Sequence, residues 1–204
     1  MILREKPIFR KENAANYYGV TAYFLGKNFA ELPLDIVVPI LFSVIVYWMT
    51  GLQQQADKFF IFTAAIILCG LCSQGLGLAI ASVAPTQIFA DILSPLIMLF
   101  AIMTGGFYAN SDSIPGFIRW ITDINYVYRV FSILSVNEFT GLTFSCGGSE
   151  NCRFQNGEEV LASFGLQNSS ITTDFVILLA ISLVFRVIAY LGMRITKSSD
   201  KLVQ

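Results

Sequence analysis

The chain has 204 residues, of which 55% are hydrophobic and only 13% are charged. A soluble domain carries about 25% charged residues, and a chain of this size cannot bury so much apolar surface in one core. The composition therefore excludes an ordinary soluble domain and predicts a membrane protein. The net charge of −1 excludes a basic surface for nucleic acid, and the absence of histidine excludes a Ser-His-Asp triad or a histidine-ligated metal within this chain.

The amino-terminal segment, residues 1–30, mixes five basic residues with aromatic ones and has no apolar run of the kind found in signal peptides. We interpret it as a cytoplasmic loop that contains an amphipathic helix, or a helix pair broken near Gly19. The residues themselves leave two roles open. The segment is either a membrane-surface anchor or a docking element for a cytoplasmic partner.

Four apolar runs follow, each close to the roughly 20 residues that a helix needs to cross a bilayer. Three lie within residues 31–108 and the fourth lies within residues 174–196, followed by a short cytoplasmic tail at 197–204. The runs are Leu32–Leu52, Phe59–Ala84, Thr86–Tyr108 and about Asp174–Ile195. The predicted fold is all-α and integral to the membrane, with four transmembrane helices.

The distribution of Lys and Arg predicts the orientation, because basic residues near span ends are retained in the cytoplasm. The amino-terminal segment and the tail together carry eight basic residues, whereas the two intervening connections on the opposite side carry four. Both termini are therefore expected to be cytoplasmic, in a multi-pass protein of the plasma membrane or an endomembrane.

Residues 109–173 form the long connection, which is expected to be a folded extracellular loop. Within it, the apolar stripe of Ile114–Ile124 predicts a re-entrant or interfacial helix, because it is too short and too charged to span. Cys146 and Cys152 are candidates for a disulfide in this loop. A free thiol and a bridge to another subunit are the alternatives. Asn168 begins the N-x-[ST] sequence expected on the outer side.

Three ionisable residues fall inside the apolar runs, where charge is costly and needs a partner or a task. They are Asp35, Asp91 and Arg186. Depth along the spans and opposite sign predict an ion pair between Arg186 and Asp91. Cys69 and Cys72 have C-x-x-C spacing, but their apolar surroundings favour packing over redox chemistry.

Several segments taken together resemble the membrane domain of ABC transporters of the ABCG (White/pigment) subfamily, in particular its sterol-exporter and White-like half-transporters. The resemblance covers essentially the whole chain, and its segments occur in the order found in that subfamily. They are Glu5–Glu12, Tyr18, Tyr23, Glu31–Pro33, Ile45–Thr50, Gly105–Asn110, Ile114–Pro115, Arg119–Trp120, Asn137–Gly141, Cys152–Gln155 and Arg186–Leu191. The order Tyr128-Arg129 departs from the Arg-Tyr usual in the subfamily.

This resemblance implies the ABC-2 type, or type V exporter, membrane domain in an incomplete form: the last four of six spans, with a coupling helix that touches an ATPase domain. It implies coupling residues Arg10, Glu12, Asn16, Tyr17 and Tyr18. It also implies a substrate path along Ile97, Met98, Ala101, Thr104, Gly106 and Phe107.

The implied mechanism is ATP-driven export of lipids, sterols or other lipophilic compounds by alternating access. The implied partners are membrane lipids, the lipophilic substrate, a nucleotide-binding domain and a second ABCG half-transporter in a homo- or heterodimer. ATP and Mg²⁺ would bind that separate domain, because this sequence contains no G-x-x-x-x-G-K-[ST] phosphate loop. The competing interpretation is a membrane protein that dimerises with a full half-transporter and regulates it without moving substrate.

Overall fold

The structure, a computed structural model, describes residues 17–107, 121–122, 124–144 and 154–200. These residues form six helices. They are α1 (Val20–Met49), α2 (Ala56–Val83), α3 (Gln87–Met103), α4 (Tyr126–Phe139), α5 (Gly157–Ser163) and α6 (Ile171–Asp200). The predicted all-α fold is confirmed for this part of the chain.

Three of the helices are long and apolar enough to cross a membrane: Val20–Met49, Ala56–Val83 and the Ile171–Ile195 part of α6. The third predicted span corresponds to α3, which is shorter, with 17 residues. At about 1.5 Å per residue α3 is roughly 25 Å long, slightly less than the hydrocarbon thickness. Pro95 lies inside α3, and Pro33 and Pro39 lie inside α1.

Helix α1 starts directly after Gly19 and continues without interruption to Met49. The residues that precede the predicted first span are therefore part of the same helix from Val20 onward. Residues 1–16 lie outside the described part of the chain, and so do Arg10, Glu12 and Asn16.

The core lies where α2, α4 and α6 meet. Helix α2 packs most extensively against α6, and α4 contacts both. The buried centre of this core combines small and large apolar side chains: Ala65, Cys72, Tyr126, Val130, Ile133, Leu178 and Ile181. Gly75 allows the close approach of α2 and α6, since a Cβ there would lie 3.1 Å from Phe185 Cβ.

Helix α4 is a buried helix in the segment predicted to be an extracellular loop. The stripe of Ile114–Ile124, where a re-entrant helix was predicted, lies almost entirely outside the described residues, as do Cys146 and Cys152. Asn168 is exposed in the turn between α5 and α6. Its glycosylation stays a prediction.

Contacts at the two ends of the bundle show which helix ends share a side. On one side, the Thr21 hydroxyl lies 3.1 Å from the Tyr190 hydroxyl, and Gly192 contacts Ser82 near the end of α2. On the other side, the α1–α2 turn contacts the end of α4 through Gln53 and Glu138. The start of α1 and the last turns of α6 therefore lie on one side of the bundle.

Candidate functional site

The end of α3 rests on α4 through two glycines. Gly106 has a φ of +87°, a left-handed conformation that favours glycine. A Cβ at Gly106 would lie 2.8 Å from the Tyr128 ring, and one at Gly105 would lie 2.9 Å from Val127 Cγ1. This corner therefore requires small residues, and it places Phe107 edge-to-face on Phe131 with ring centroids 6.1 Å apart.

Asn125 joins α3 to α4 through three hydrogen bonds of its side-chain amide. Its Nδ2 donates to the Ala101 carbonyl at 2.7 Å and to Thr104 Oγ1 at 2.9 Å. Its Oδ1 accepts the Val127 backbone N–H at 2.9 Å and so caps α4. Ala101 and Thr104 were both predicted to line a substrate path. Through their hydrogen bonds to Asn125 they also hold the start of α4 against the end of α3.

The outward face of α3 is apolar and uncovered by the other described helices. Four apolar side chains on this face are each more than half exposed: Ile92, Leu96, Leu99 and Phe100. Asp91 is the only charged residue of α3. Among the predicted path residues, Ile97 is half-buried, Met98 is exposed and contacts the Tyr126 hydroxyl through its sulfur, and Gly106 is buried.

A chain of charged and polar side chains connects α1, α2 and α6 inside the bundle. Lys27 pairs with Glu31 at 3.3 Å within α1. Gln74 Nε2 donates to Glu31 Oε2 at 3.0 Å, and Arg186 Nη2 donates to Gln74 Oε1 at 3.2 Å. We call these residues, together with Asp35, the intramembrane polar cluster.

The predicted Arg186–Asp91 ion pair is wrong. Arg186 donates to Gln74, and Asp91 is exposed on α3. The physical reason is that α6 packs against α2 and α1, whereas α3 is held mainly through α2 and α4. Arg186 therefore hydrogen-bonds to Gln74 on the neighbouring helix α2. Asp35 lies one turn beyond Glu31 on α1, close enough for electrostatic attraction to Arg186.

Gln74 was missed in the sequence because an amide in an apolar run attracts less attention than a charge. A signal was present in α1, where Lys27, Glu31 and Asp35 follow at intervals of four and so share one helix face. Such a polar stripe on a spanning helix must face the protein interior. Its partners on other helices cannot be read from that stripe alone.

A second polar group fastens α4 to the α1–α2 turn. Glu138 Oε1 accepts the Gln53 backbone N–H at 3.1 Å, and the Gln53 side chain donates back to the Glu138 carbonyl at 2.5 Å. Lys58 Nζ donates to Gln53 Oε1 at 2.8 Å and to the Thr140 carbonyl at 3.0 Å. Asn137 donates to the Lys58 carbonyl at 2.9 Å. We call this group the turn clamp.

One ion pair links α4 to the first turn of α6. Arg129 Nη1 lies 2.9 Å from Asp174 Oδ1, and both side chains are largely buried. The carboxylate also lies in the first turn of α6, where the helix dipole favours negative charge. Arg129, in the Tyr128-Arg129 pair noted in the sequence, thus joins the long connection to the last helix.

Cys69 and Cys72 are unbridged. Cys72 is fully buried and Cys69 half-buried, as packing residues would be. Tyr17 is highly exposed, and Tyr18 stacks on Tyr23 with centroids 6.1 Å apart. Among the described residues, no group of three or more Cys, Asp or Glu side chains could hold a metal ion.

Comparison with known proteins agrees with this architecture. Residues 1–139 match the family described as ABC-2 type transporter. The chain belongs to this family. It is 31% identical over 203 residues to ABC transporter ATP-binding protein/permease wht-1 of Caenorhabditis elegans, a match that covers 96% of this chain and 30% of that protein.

Two further relatives are similar over nearly the whole chain. Protein white of Drosophila melanogaster is 29% identical over 194 residues, covering 94% of this chain and 28% of that protein. ABC transporter G family member 22 of Arabidopsis thaliana is 30% identical over 191 residues, covering 94% and 23%. The chain thus spans less than a third of the length of these relatives. The resemblance to White and ABCG transporters is confirmed, and the chain corresponds to a membrane part of such a transporter.

Proposed function

We propose that this chain is the permease portion of an ATP-driven transporter that exports lipids, sterols or other lipophilic compounds. The observation that carries this proposal is the uncovered apolar face of α3, which has no charge from residue 92 to residue 107. A wall of this chemistry offers a lipophilic molecule the same environment as the acyl chains. It offers nothing to an ion or a sugar, whose polar groups would lose their hydration without replacement.

The proposed working unit is a homo- or heterodimer with another ABCG half-transporter. The second membrane portion would cover the α3 face of Ile92, Leu96, Leu99 and Phe100. We propose that the central slit continues from this face along the side of α3 toward α4, where the predicted path residues lie: Ile97, Met98, Ala101, Thr104, Gly106 and Phe107. We further propose that both termini are cytoplasmic, which agrees with the start of α1 and the last turns of α6 lying on one side of the bundle.

A nucleotide-binding domain would supply the driving force. We propose that ATP and Mg²⁺ bind that domain, because the 204 residues contain no phosphate loop. We propose that the segment around Arg10, Glu12, Asn16, Tyr17 and Tyr18 contacts that domain. The exposure of Tyr17 directly ahead of α1 supports this assignment. Since α1 is continuous from Val20, a displacement at its start would be transmitted along the helix toward the intramembrane polar cluster.

The experiment is ATP-dependent accumulation of lipid in inside-out membrane vesicles. Vesicles are prepared from cells that express a White-type half-transporter alone or with this chain, and they are given a fluorescent sterol or a fluorescent phospholipid with ATP. We expect accumulation that requires both the chain and hydrolysable ATP. Vesicles with a non-hydrolysable ATP analogue provide the control.

The competing function, a regulator that does not move substrate, predicts a different result. It predicts that the chain co-purifies with the half-transporter and changes its ATPase rate, while lipid accumulation is insensitive to bulky substitutions on α3. A chain that neither co-purifies nor changes accumulation would contradict both functions.

A further inference from the structure

Helix α3 is held at its two ends and has space behind its middle. At its start, a short turn joins it to α2, and Ala90 is buried. At its end, Asn125 donates to the Ala101 carbonyl at 2.7 Å. Among the described residues, no side-chain hydrogen bond joins residues 91–97 to another helix. The middle of α3 therefore lacks the polar contacts that hold its carboxyl-terminal end.

The space behind the middle of α3 is a cleft of about 260 Å³ between α2 and α3. We call it the α2–α3 cleft. Its two facing walls are mainly apolar: Leu76, Gly77 and Ile80 on α2, and Ser94, Pro95 and Met98 on α3. A Cβ at Gly77 would meet no atom within 4 Å. The two walls therefore do not touch at Gly77, and α3 has room to move there.

Two adjacent residues in the α3 wall weaken the helix at the level of the cleft. Pro95 lies inside α3 and has no backbone N–H, so the Asp91 carbonyl loses the helical hydrogen bond that it would otherwise accept. Ser94 Oγ donates to the Ala90 carbonyl at 2.8 Å, a contact that often bends helices. Ser94 and Pro95 are therefore the point at which α3 bends most readily, and both line the cleft.

The volume of the cleft sets the size of the movement. A helix is about 10 Å wide, and the residues from Ser94 to Met98 occupy about 7.5 Å of its length. An inward movement of roughly 3–4 Å by this part of α3 would therefore take up the 260 Å³. The opposite face carries Ile92, Leu96 and Leu99, each more than half exposed. Near Leu96 this face would move inward by a similar distance.

We propose that Ser94 and Pro95 form a hinge at which α3 bends, so that the middle of the helix moves into the α2–α3 cleft. Helix α3 then has two positions. The structure shows the open position, and in the closed position the middle of α3 lies against Gly77. In a dimer, the closed position would widen the slit in front of α3. Only this widening rests on the proposed function, because the bending is a property of this chain.

Disulfide formation in the purified chain, held in lipid nanodiscs, tests the hinge. The four native cysteines are first replaced by alanine. Counted from the turn between α2 and α3, Gly77 lies about 10 Å and Ser94 about 12 Å along their helices, so they are at nearly the same depth. A disulfide brings two Cβ atoms to about 3.8 Å, whereas a Cβ at Gly77 has no neighbour within 4 Å in the open position. Gly77→Cys with Ser94→Cys should therefore become bridged, under a mild oxidant, through the closed position.

Two further chains separate bending at the hinge from general flexibility. Gly77→Cys with Ile88→Cys is the matched control, because Ile88 is exposed on α3 but lies about 7 Å nearer the turn, and this pair should stay unbridged. Pro95→Ala, added to the pair at 77 and 94, restores a donor for the Asp91 carbonyl. It should slow disulfide formation about fivefold, the worth of one net hydrogen bond.

Two measurements check that the chains are comparable. A long bismaleimide should join the pair at 77 and 94 equally well with and without Pro95→Ala, which shows that both chains are folded with reachable thiols. The absence of a dimer band on a non-reducing gel shows that the disulfide forms within one copy.

Three results would overturn the hinge. The first is no disulfide between positions 77 and 94, as expected if an acyl chain fills the cleft permanently. The second is an equal rate with and without Pro95→Ala. The third is a disulfide between positions 77 and 88 that forms as fast as the one between 77 and 94.

ATP-dependent lipid accumulation, measured with the pair at 77 and 94 before and after oxidation, separates the hinge from the proposed function. Loss of accumulation on oxidation, restored by a reducing agent, would support a role of the hinge in transport. Accumulation that persists in the bridged chain would reject the widening of the slit. No accumulation with the unmodified chain would reject the transport function, and the trapped disulfide would still establish the hinge.

Discussion

Gln74 bridges the intramembrane polar cluster, and replacing it tests whether the cluster holds α1, α2 and α6 together. Gln74→Met keeps the length of the side chain and removes both hydrogen bonds, at 3.0 Å to Glu31 and at 3.2 Å from Arg186. Hydrogen bonds between membrane helices average about 0.6 kcal/mol and reach about 1.7 kcal/mol. Bonds to charged groups are worth roughly 1.5–3 kcal/mol in general.

Because both partners of Gln74 are charged and lie in an apolar surrounding, we take the upper end of the membrane range for each bond. The free energy of unfolding should therefore fall by about 2–3 kcal/mol. At roughly 2–4 °C per kcal/mol for a chain of this size, the melting temperature should fall by about 5–10 °C.

A thiol-reactive dye provides the assay, in a background in which Cys69, Cys146 and Cys152 are replaced by serine. Cys72 is fully buried in the folded chain and reacts when the helices separate. Gln54→Met in the exposed α1–α2 turn is the matched control and should melt with the wild type. The double variant Gln74→Met with Arg186→Met should lose less than the sum of the two single variants. A melting temperature of Gln74→Met equal to that of the wild type would refute the bridging role.

Three other substitutions probe separate contacts. In Gly192→Ala the new Cβ would overlap Ser82 Oγ and lie 3.0 Å from Ser82 Cβ. We expect this substitution to lower the free energy of unfolding by about 1–3 kcal/mol in the same assay. An unchanged melting temperature would contradict the close crossing of α2 and α6. Asp174→Asn should destabilise by about 1–3 kcal/mol because it removes the carboxylate charge that lies 2.9 Å from the largely buried Arg129 guanidinium, and an unchanged melting temperature would argue against that pair. Glu138→Gln should weaken the turn clamp and increase limited proteolysis of the α1–α2 turn at least severalfold, whereas unchanged cleavage would show that the turn is held by other contacts.

Three spanning helices were predictable from the sequence because their apolar runs are long and nearly free of charge. Helix α4 was not. Its sequence from Tyr126 to Phe139 includes Arg129 and the buried polar residues Ser132, Ser135 and Asn137, which interrupt the apolar pattern. In the structure these side chains are buried beside α2 and α6, so the interior of this bundle is partly polar and hydropathy alone does not find it.

The candidate site was predictable in its residue types but not in its pairings. Charge and depth identified Asp35 and Arg186, yet the partner of Arg186 depends on which helices are neighbours. That neighbourhood is set by close contacts at Gly75 and Gly192, whose small size appears in the sequence without revealing which helix each approaches. The ion pair between Arg129 and Asp174 could not be predicted for the same reason, because the two residues are 45 positions apart in the sequence.

The measurement that tests the central claim most directly is ATP-dependent lipid accumulation in vesicles that contain the half-transporter and either Ala101→Trp or Val38→Trp. Ala101 is on the proposed path on α3, and Val38 is exposed on α1. Both variants must reach wild-type amounts in the membrane and co-purify with the half-transporter. The permease account predicts that Ala101→Trp reduces accumulation at least tenfold, about 1.4 kcal/mol, while Val38→Trp transports as the wild type does. Equal transport by the two variants would contradict it.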